Sequence, residues 1–137
     1  MSVVLDSSVT LAWLFSDELT EPVRQVFERV TASRAWVPSL WRLEVANSLH
    51  MAARRKRIDA GLRDASLADL ALLNIGTDPD TDAFAWSTTL QLAEAHALTV
   101  YDAAYLELAQ RMALPLATLD EELRNAARAL GVALLGR

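Results

Sequence analysis

Four acidic residues stand where side chains commonly do chemistry: Asp6, Glu44, Asp102 and Asp120. Two of them directly follow apolar runs that are typical of strands, and Asp102 opens a predicted helix after the apolar segment 98–101. The carboxyl ends of parallel strands share one edge of a sheet, so these acids are expected to meet there. Like charges at close range cannot all stay ionised unaided, and Mg²⁺ and Mn²⁺ prefer oxygen ligands. The pattern therefore predicts a carboxylate metal site.

Two of these acids also have simple structural interpretations. Asp102 suits the N-cap of a helix, and Asp120 suits the start of the helix beside it. Thr118 and Glu121 have the spacing of a capping box. Asp6 is harder to explain as a cap, because the serines that follow it could cap the next helix without it.

Glu44 is predicted to lie in mid-helix, away from either end. Its neighbours three and four positions away are not basic: Leu40, Trp41, Asn47 and Ser48. The glutamate is therefore either solvated or desolvated without a counter-charge from the protein. Desolvation would raise its pKa unless a cation were present.

Other chemistries of α/β proteins lack their residues here. The chain has no cysteine and only two histidines, which disfavours zinc. Its four glycines form neither a phosphate-binding loop nor a dinucleotide fingerprint, and no Gly-x-Ser-x-Gly elbow is present. The segment Asp6-Ser7-Ser8 lacks the second acid of a haloacid-dehalogenase-type phosphatase, and the single lysine, Lys56, disfavours a response-regulator receiver.

The elements that would position the acids follow from periodicity and caps. Short apolar runs predict five strands, at 3–5, 35–37, 75–77, 116–119 and 132–135. Helical patterns separate them, with Thr20, Ser39 and Asp59 as caps and a long helix after the turn 78–82. Strands alternating with helices predict a three-layer α/β/α sandwich around a central, about five-stranded parallel sheet.

Composition sets further bounds. A length of 137 residues and a hydrophobic fraction of 53% suit one domain spanning 1–137. No signal-type or membrane-spanning run is present, so a cytoplasmic protein without membrane contact is expected. The net charge of −5 is unusual for a nucleic-acid-binding surface, although bound metal would reverse the local field. The basic cluster, Arg54, Arg55, Lys56 and Arg57, is either an RNA contact or charge that complements a helix C-terminus.

Four segments resemble the signature blocks of PIN-domain ribonucleases, and most closely VapC-type toxins of type II toxin–antitoxin systems. They are Val4-Leu5-Asp6-Ser7-Ser8-Val9, Leu43-Glu44-Val45-Ala46-Asn47, Tyr101-Asp102-Ala103-Ala104-Tyr105 and Ala117-Thr118-Leu119-Asp120. Their order and spacing match across the whole chain. The resemblance implies a Rossmann-like PIN fold and a metal-dependent endoribonuclease.

The resemblance also implies roles for individual residues. Asp6, Glu44, Asp102 and Asp120 would bind one or two Mg²⁺ or Mn²⁺ ions, with Asp6 and Asp102 as direct ligands. The supporting side chains around them would be Ser8, Asn47 and Thr118. The metal would activate water against an RNA phosphate.

The implied partners are an RNA substrate, a cognate VapB-type antitoxin and a second copy of the chain, as a homodimer or a toxin–antitoxin hetero-oligomer. An apolar groove for a partner would come from Trp13, Leu14, Phe15 and Trp41, unless these residues are core. Two other functions stay open: a nuclease acting on DNA or in RNA processing, and a catalytically silent binding module.

Overall fold

A five-stranded parallel sheet forms the centre of the protein in a computed structural model that describes residues 1–137. The strands are β1 (Val3–Leu5), β2 (Ala35–Val37), β3 (Ile75–Thr77), β4 (Leu116–Ala117) and β5 (Leu134–Leu135), in the order β3-β2-β1-β4-β5. Each neighbouring pair is parallel. β1 lies in the middle and its three residues have no exposed surface, as expected for a strand covered on both faces.

Eight helices connect the strands. They are α1 (Ser7–Leu14), α2 (Glu21–Ala32), α3 (Trp41–Arg54), α4 (Ala60–Ala71), α5 (Thr81–Phe84), α6 (Thr88–His96), α7 (Val100–Met112) and α8 (Glu121–Ala129). α1 contacts α2 and α3, and α3 contacts α4, whereas α7 contacts α6 and α8. With right-handed crossovers, α1–α4 cover one face of the sheet and α5–α8 cover the other. None of the helices is both long and apolar enough to cross a membrane.

The strand order reverses at the β1–β4 pair. The chain leaves β1 towards β2 and β3, then returns to β4 and continues to β5. The loops after β1 and β4 therefore diverge to opposite faces and open a crevice at the carboxyl ends of these two strands. Open α/β sheets place their ligands at such a switch point. Asp6 follows β1 at this point, and Thr118 follows β4.

The parallel α/β/α arrangement predicted from the sequence is confirmed, as are the caps at Thr20 and Asp59. The side chain of Thr20 accepts a hydrogen bond from the Val23 N–H, and that of Asp59 accepts one from the Leu62 N–H. The predicted cap at Ser39 is wrong, because α3 begins at Trp41 and Ser39 donates its N–H to Thr81 Oγ1 instead.

The long helix predicted after the turn 78–82 is also wrong. It is divided into α5 and α6 by a turn, and Trp86, placed on its apolar stripe, is 94% exposed. The turn is anchored by Arg111, which pairs with Asp78 at 2.5 Å and stacks over the Phe84 ring at 4.5 Å. Arg111 also pairs with Glu107 at 2.8 Å on its own helix. Asp78 and Arg111 are 33 residues apart in sequence. A local periodic pattern could not predict their contact.

Candidate active site

Asp6 is the centre of the crevice at the β1–β4 switch point. It occupies the N-cap position of α1, but its carboxylate makes no capping hydrogen bond. Instead, its Oδ2 accepts hydrogen bonds from Ser8 Oγ at 2.6 Å and from Thr118 Oγ1 at 2.8 Å. The side chain is almost wholly buried, at 4% exposure. The fold therefore fixes this carboxylate from both sides of the crevice.

Burial dominates the electrostatics of Asp6. Desolvation raises the pKa of its carboxyl, and the nearby Asp120 adds to the rise. The hydroxyls of Ser8 and Thr118 act in the opposite direction because they donate to the charged form. A buried carboxylate with hydroxyl donors but no basic partner is a group that gains from a cation.

Ser8 and Thr118 also bind the backbone of the second loop. Ser8 Oγ accepts the N–H of Leu119 at 3.0 Å, and Thr118 Oγ1 accepts the N–H of Asp120 at 3.1 Å. Both hydroxyls thus bridge the loop after β1 to the loop after β4. These contacts place both hydroxyls beside Asp6, and their predicted role in supporting a metal ligand stays a prediction.

Glu44 lies in the first turn of α3, and the prediction of a mid-helix position is wrong. The half-buried side chain points towards α7, where the hydroxyl of Tyr105 donates a hydrogen bond to its Oε1. Desolvation raises the pKa of Glu44, and the carboxylates of Asp6 and Asp102 raise it further. No basic residue is among the causes of this shift, so Glu44 joins the cluster as an uncompensated acid.

Asp102 reaches the same crevice from the first turn of α7. It is not the N-cap of that helix, because Thr99 takes this role and accepts the Asp102 N–H at 3.1 Å. Burial, followed by the charges of Asp6 and Asp120, raises the pKa of Asp102 to about 6. The residue is therefore brought to the sheet edge by a helix, rather than by a strand.

Asp120 has the structural role that its sequence position indicates. It is the N-cap of α8 and its Oδ2 accepts the N–H of Leu123 at 2.9 Å. The capping box predicted from Thr118 and Glu121 is wrong, because Thr118 lies before the cap and binds Asp6. The Asp120 carboxylate still contributes to the field, since it raises the pKa of both Asp6 and Asp102.

The four acids together provide oxygen donors and an excess of negative charge. No three Asp, Glu or His side chains lie in an arrangement that would enclose a metal ion. The donor chemistry nevertheless fits a hard divalent cation, because three of the acids, Asp6, Glu44 and Asp102, have raised pKa values and repel one another.

The remaining predicted site residues lie apart from these acids. Asn47 is exposed on α3 and makes no hydrogen bond to any of the four carboxylates. The basic cluster 54–57 lies at the opposite end of α3 from Glu44. Within it, Arg57 pairs with Asp17 at 3.0 Å and Glu18 at 2.9 Å, and stacks over the Phe15 ring. Contact between this cluster and RNA stays a prediction.

The apolar groove predicted from four residues is not formed by them. Phe15 and Trp41 are core residues, at 8% and 5% exposure, and Trp13 packs edge-to-face on Phe27. An open apolar cavity of about 330 Å³ lies instead between α3, α4 and β3. Trp41 contributes to its lining, together with Leu43, Val45, Leu67, Leu70 and Ile75.

Two residues that contact the site were not singled out from the sequence. Tyr105 was given no role of its own, although it lies one helical turn after Asp102 and its hydroxyl donates a hydrogen bond to Glu44. Arg124 is buried in α8, and its Nη1 donates to the carbonyls of Thr118 at 2.8 Å and Leu135 at 3.1 Å. The only sequence signal for Tyr105 is its spacing of three residues from Asp102, and Arg124 has no such signal.

Comparison with known proteins agrees with this geometry. The family model of the PIN domain matches residues 3–129. The chain belongs to the PIN-domain family. It is 30% identical to Ribonuclease VapC3 of Pyrobaculum aerophilum over 123 residues, which cover 90% of this chain and 92% of that protein. The predicted family is thereby confirmed.

Solved PIN-domain structures share the fold. The crystal structure of PAE2754 from Pyrobaculum aerophilum superposes with a TM-score of 0.71 and 24% identity, covering 98% of this chain and 83% of that one. VapBC2 from Rickettsia felis, bound to a DNA fragment from their promoter, gives a TM-score of 0.65 and 13% identity, covering 98% and 97%. At these identities the likeness concerns the fold alone.

Proposed function

We propose that this PIN-domain protein is a Mg²⁺- or Mn²⁺-dependent endoribonuclease, the toxin of a toxin–antitoxin pair. The observation that carries the proposal is the convergence of four acids from distant parts of the chain on the β1–β4 crevice. Three of them have raised pKa values and no basic partner, which is costly for a protein that holds no cation there. The ribonuclease relative supports RNA as the substrate.

Asp6 and Asp102 would hold the cation directly, and Glu44 and Asp120 would do so directly or through water. When bound, a divalent cation lowers the pKa of a coordinated water and offsets the charge of the scissile phosphate. Ser8 and Thr118 keep the Asp6 carboxylate in one orientation by donating to its Oδ2. The carboxyl of Asp102, with a pKa of about 6, gives up its proton when it becomes a ligand.

The net charge of −5 suits this chemistry only with the cation present. RNA phosphates would otherwise meet four carboxylates, whose repulsion would oppose binding. Cation binding reverses the local sign of the field and lets the phosphate approach. Substrate binding and catalysis are therefore expected to require the same ion.

The test is cleavage of single-stranded RNA with Mg²⁺ or Mn²⁺, with EDTA, and with single- and double-stranded DNA in parallel. Asp6→Asn is expected to lose activity, because it removes a buried carboxylate without changing the shape of the side chain. Glu94→Gln, an exposed acid on α6, is the matched control and should retain wild-type cleavage. Full cleavage by Asp6→Asn, or cleavage that persists in EDTA, would refute the proposal. If the protein cleaved DNA in preference to RNA, DNA would replace RNA as the proposed substrate.

We also propose a cognate antitoxin as the partner, supported by the VapC relative and the VapBC2 fold neighbour. The cavity between α3 and α4 is the place where an apolar antitoxin segment would fit. Its rim residue Leu43 is 76% exposed and directly precedes Glu44, so the segment would lie beside the carboxylates. Leu43→Asp is expected to weaken antitoxin binding at least about tenfold by calorimetry. An unchanged affinity would place the antitoxin elsewhere. We further propose that two copies of the chain form a homodimer.

A further inference from the structure

The hydroxyl of Tyr105 ties the Glu44 side chain to α7, and Ser7 of α1 also hydrogen-bonds to this side chain. Tyr105 is fully buried in α7, and its hydroxyl donates a hydrogen bond to Glu44 Oε1 of α3. It lies three positions after Asp102, so both residues are on the same side of α7. One helix therefore carries an acid of the site and the anchor for a second acid.

Glu44 needs such an anchor. It has no basic neighbour on α3, and the charges of Asp6 and Asp102 are close enough to repel it. A glutamate side chain has three rotatable bonds, and a half-buried one can relieve this repulsion by turning to solvent. Tyr105 has only two, and the packing around its fully buried ring fixes both. The rigid partner thus sets the orientation of the flexible one.

We propose that Tyr105 is a positioning residue, whose hydroxyl holds Glu44 towards Asp6 and Asp102 so that the three carboxylates receive the divalent cation together. The inference rests on the proposed function for the identity of the cation. Tyr105 touches neither substrate nor metal in this scheme and acts through Glu44. A phenylalanine at this position would fill the core equally well and leave Glu44 without its hydrogen bond from α7.

The first measurement is the affinity for Mn²⁺ of the purified, metal-free protein by calorimetry. Tyr105→Phe is expected to bind Mn²⁺ about 10- to 100-fold more weakly, the usual effect of removing a group that orients a metal ligand. Thr89→Val is the control, because it removes a buried hydroxyl of α6 that contacts none of the four acids. Raising the Mn²⁺ concentration should restore RNA cleavage by Tyr105→Phe.

A double-mutant cycle with Glu44→Ala separates positioning from general packing. Without the Glu44 carboxylate the hydroxyl has nothing to hold, so Tyr105→Phe should have little further effect on Mn²⁺ affinity in that background. An equal loss in both backgrounds would overturn the inference, as would wild-type affinity in the single variant.

Crystal structures of the wild-type protein and of Tyr105→Phe keep the inference distinct from the proposed function. If the wild-type protein neither binds Mn²⁺ nor cleaves RNA, the proposed function fails. The positioning role is then judged only by the orientation of the Glu44 side chain in the two structures. If this side chain turns to solvent in Tyr105→Phe, the inference is supported. If it keeps its wild-type orientation, the inference is overturned.

Discussion

Replacing Asp102 with asparagine should stabilise the metal-free protein while abolishing its activity. In the folded state the pKa of Asp102 rises from 3.8 to about 6, chiefly through burial and then through the charges of Asp6 and Asp120. At neutral pH the folded state therefore holds a carboxylate that is more costly than in the unfolded chain. Asparagine has nearly the same shape and carries no charge, so it removes this cost.

The size of the effect follows from the pKa. Without screening by solvent, a pKa rise of this size would lower the free energy of unfolding at neutral pH by about 3 kcal/mol, since each pKa unit is about 1.4 kcal/mol. Asp102 is only half buried and solvent screens its charge, so we expect about 1 to 2 kcal/mol. A raised carboxyl pKa means that the folded state binds more protons than the unfolded chain between 3.8 and about 6. The stability of the wild-type protein should therefore fall as the pH rises through this window and be fully restored below it.

Urea unfolding in EDTA, for the wild-type protein and Asp102→Asn, measures this difference. The variant should be the more stable protein at about pH 7.5, and the two should converge near pH 3.5, where the wild-type carboxyl is protonated in both states. Glu94→Gln, an exposed acid, should match the wild-type protein at each pH. The reasoning would be refuted if Asp102→Asn were less stable than the wild-type protein at neutral pH. It would also be refuted if the variant were still the more stable protein near pH 3.5.

Three further predictions concern the residues around the acids. Thr118→Val should lower the free energy of unfolding by about 2 kcal/mol, because it removes the donor to Asp6 and the acceptor for a backbone N–H; an unchanged urea midpoint would contradict it. Arg111→Met should cost about 3 kcal/mol by the same measurement, since it leaves the carboxylates of Asp78 and Glu107 buried and unpaired; wild-type stability would show that the pairs contribute nothing. The Mn²⁺ affinity measured by calorimetry should fall as the pH drops below about 6, because Asp102 must release a proton to bind; an affinity independent of pH would exclude Asp102 as a ligand.

The sheet was largely predictable from local pattern, because its strands are short apolar runs bounded by caps and turns. Val3–Leu5, Ala35–Val37 and Ile75–Thr77 have the predicted bounds, and the structure places the last of them at an edge of the sheet. The last two strands are shorter than predicted, at two residues each. The division of the helix after residue 80 was missed, and Arg111, which contacts Asp78 and Phe84 beside it, lies more than twenty residues further along the chain.

The acids of the site were predictable as a set, but their individual surroundings were not. Their positions in the sequence singled out all four acids, and the resemblance implied a common role for them. The donors to these acids come from other elements, as with Thr118, which is 112 residues from Asp6 in sequence, and Tyr105, which is 61 from Glu44. Such contacts depend on strand order and helix packing, which a local sequence pattern does not contain.

The Asp6–Thr118 hydrogen bond also bears on how the protein is made. Its partners are separated by 112 residues, and β4 must pair with β1 before it can form. Contacts of such long sequence separation form late in folding, and a nascent chain cannot form this one until residue 118 has left the ribosome. The proposed ribonuclease would thus be synthesised beside abundant RNA while its central carboxylate still lacked one of its two hydroxyl donors. The proposed site therefore cannot be fully assembled on the nascent chain before β4 has emerged from the ribosome.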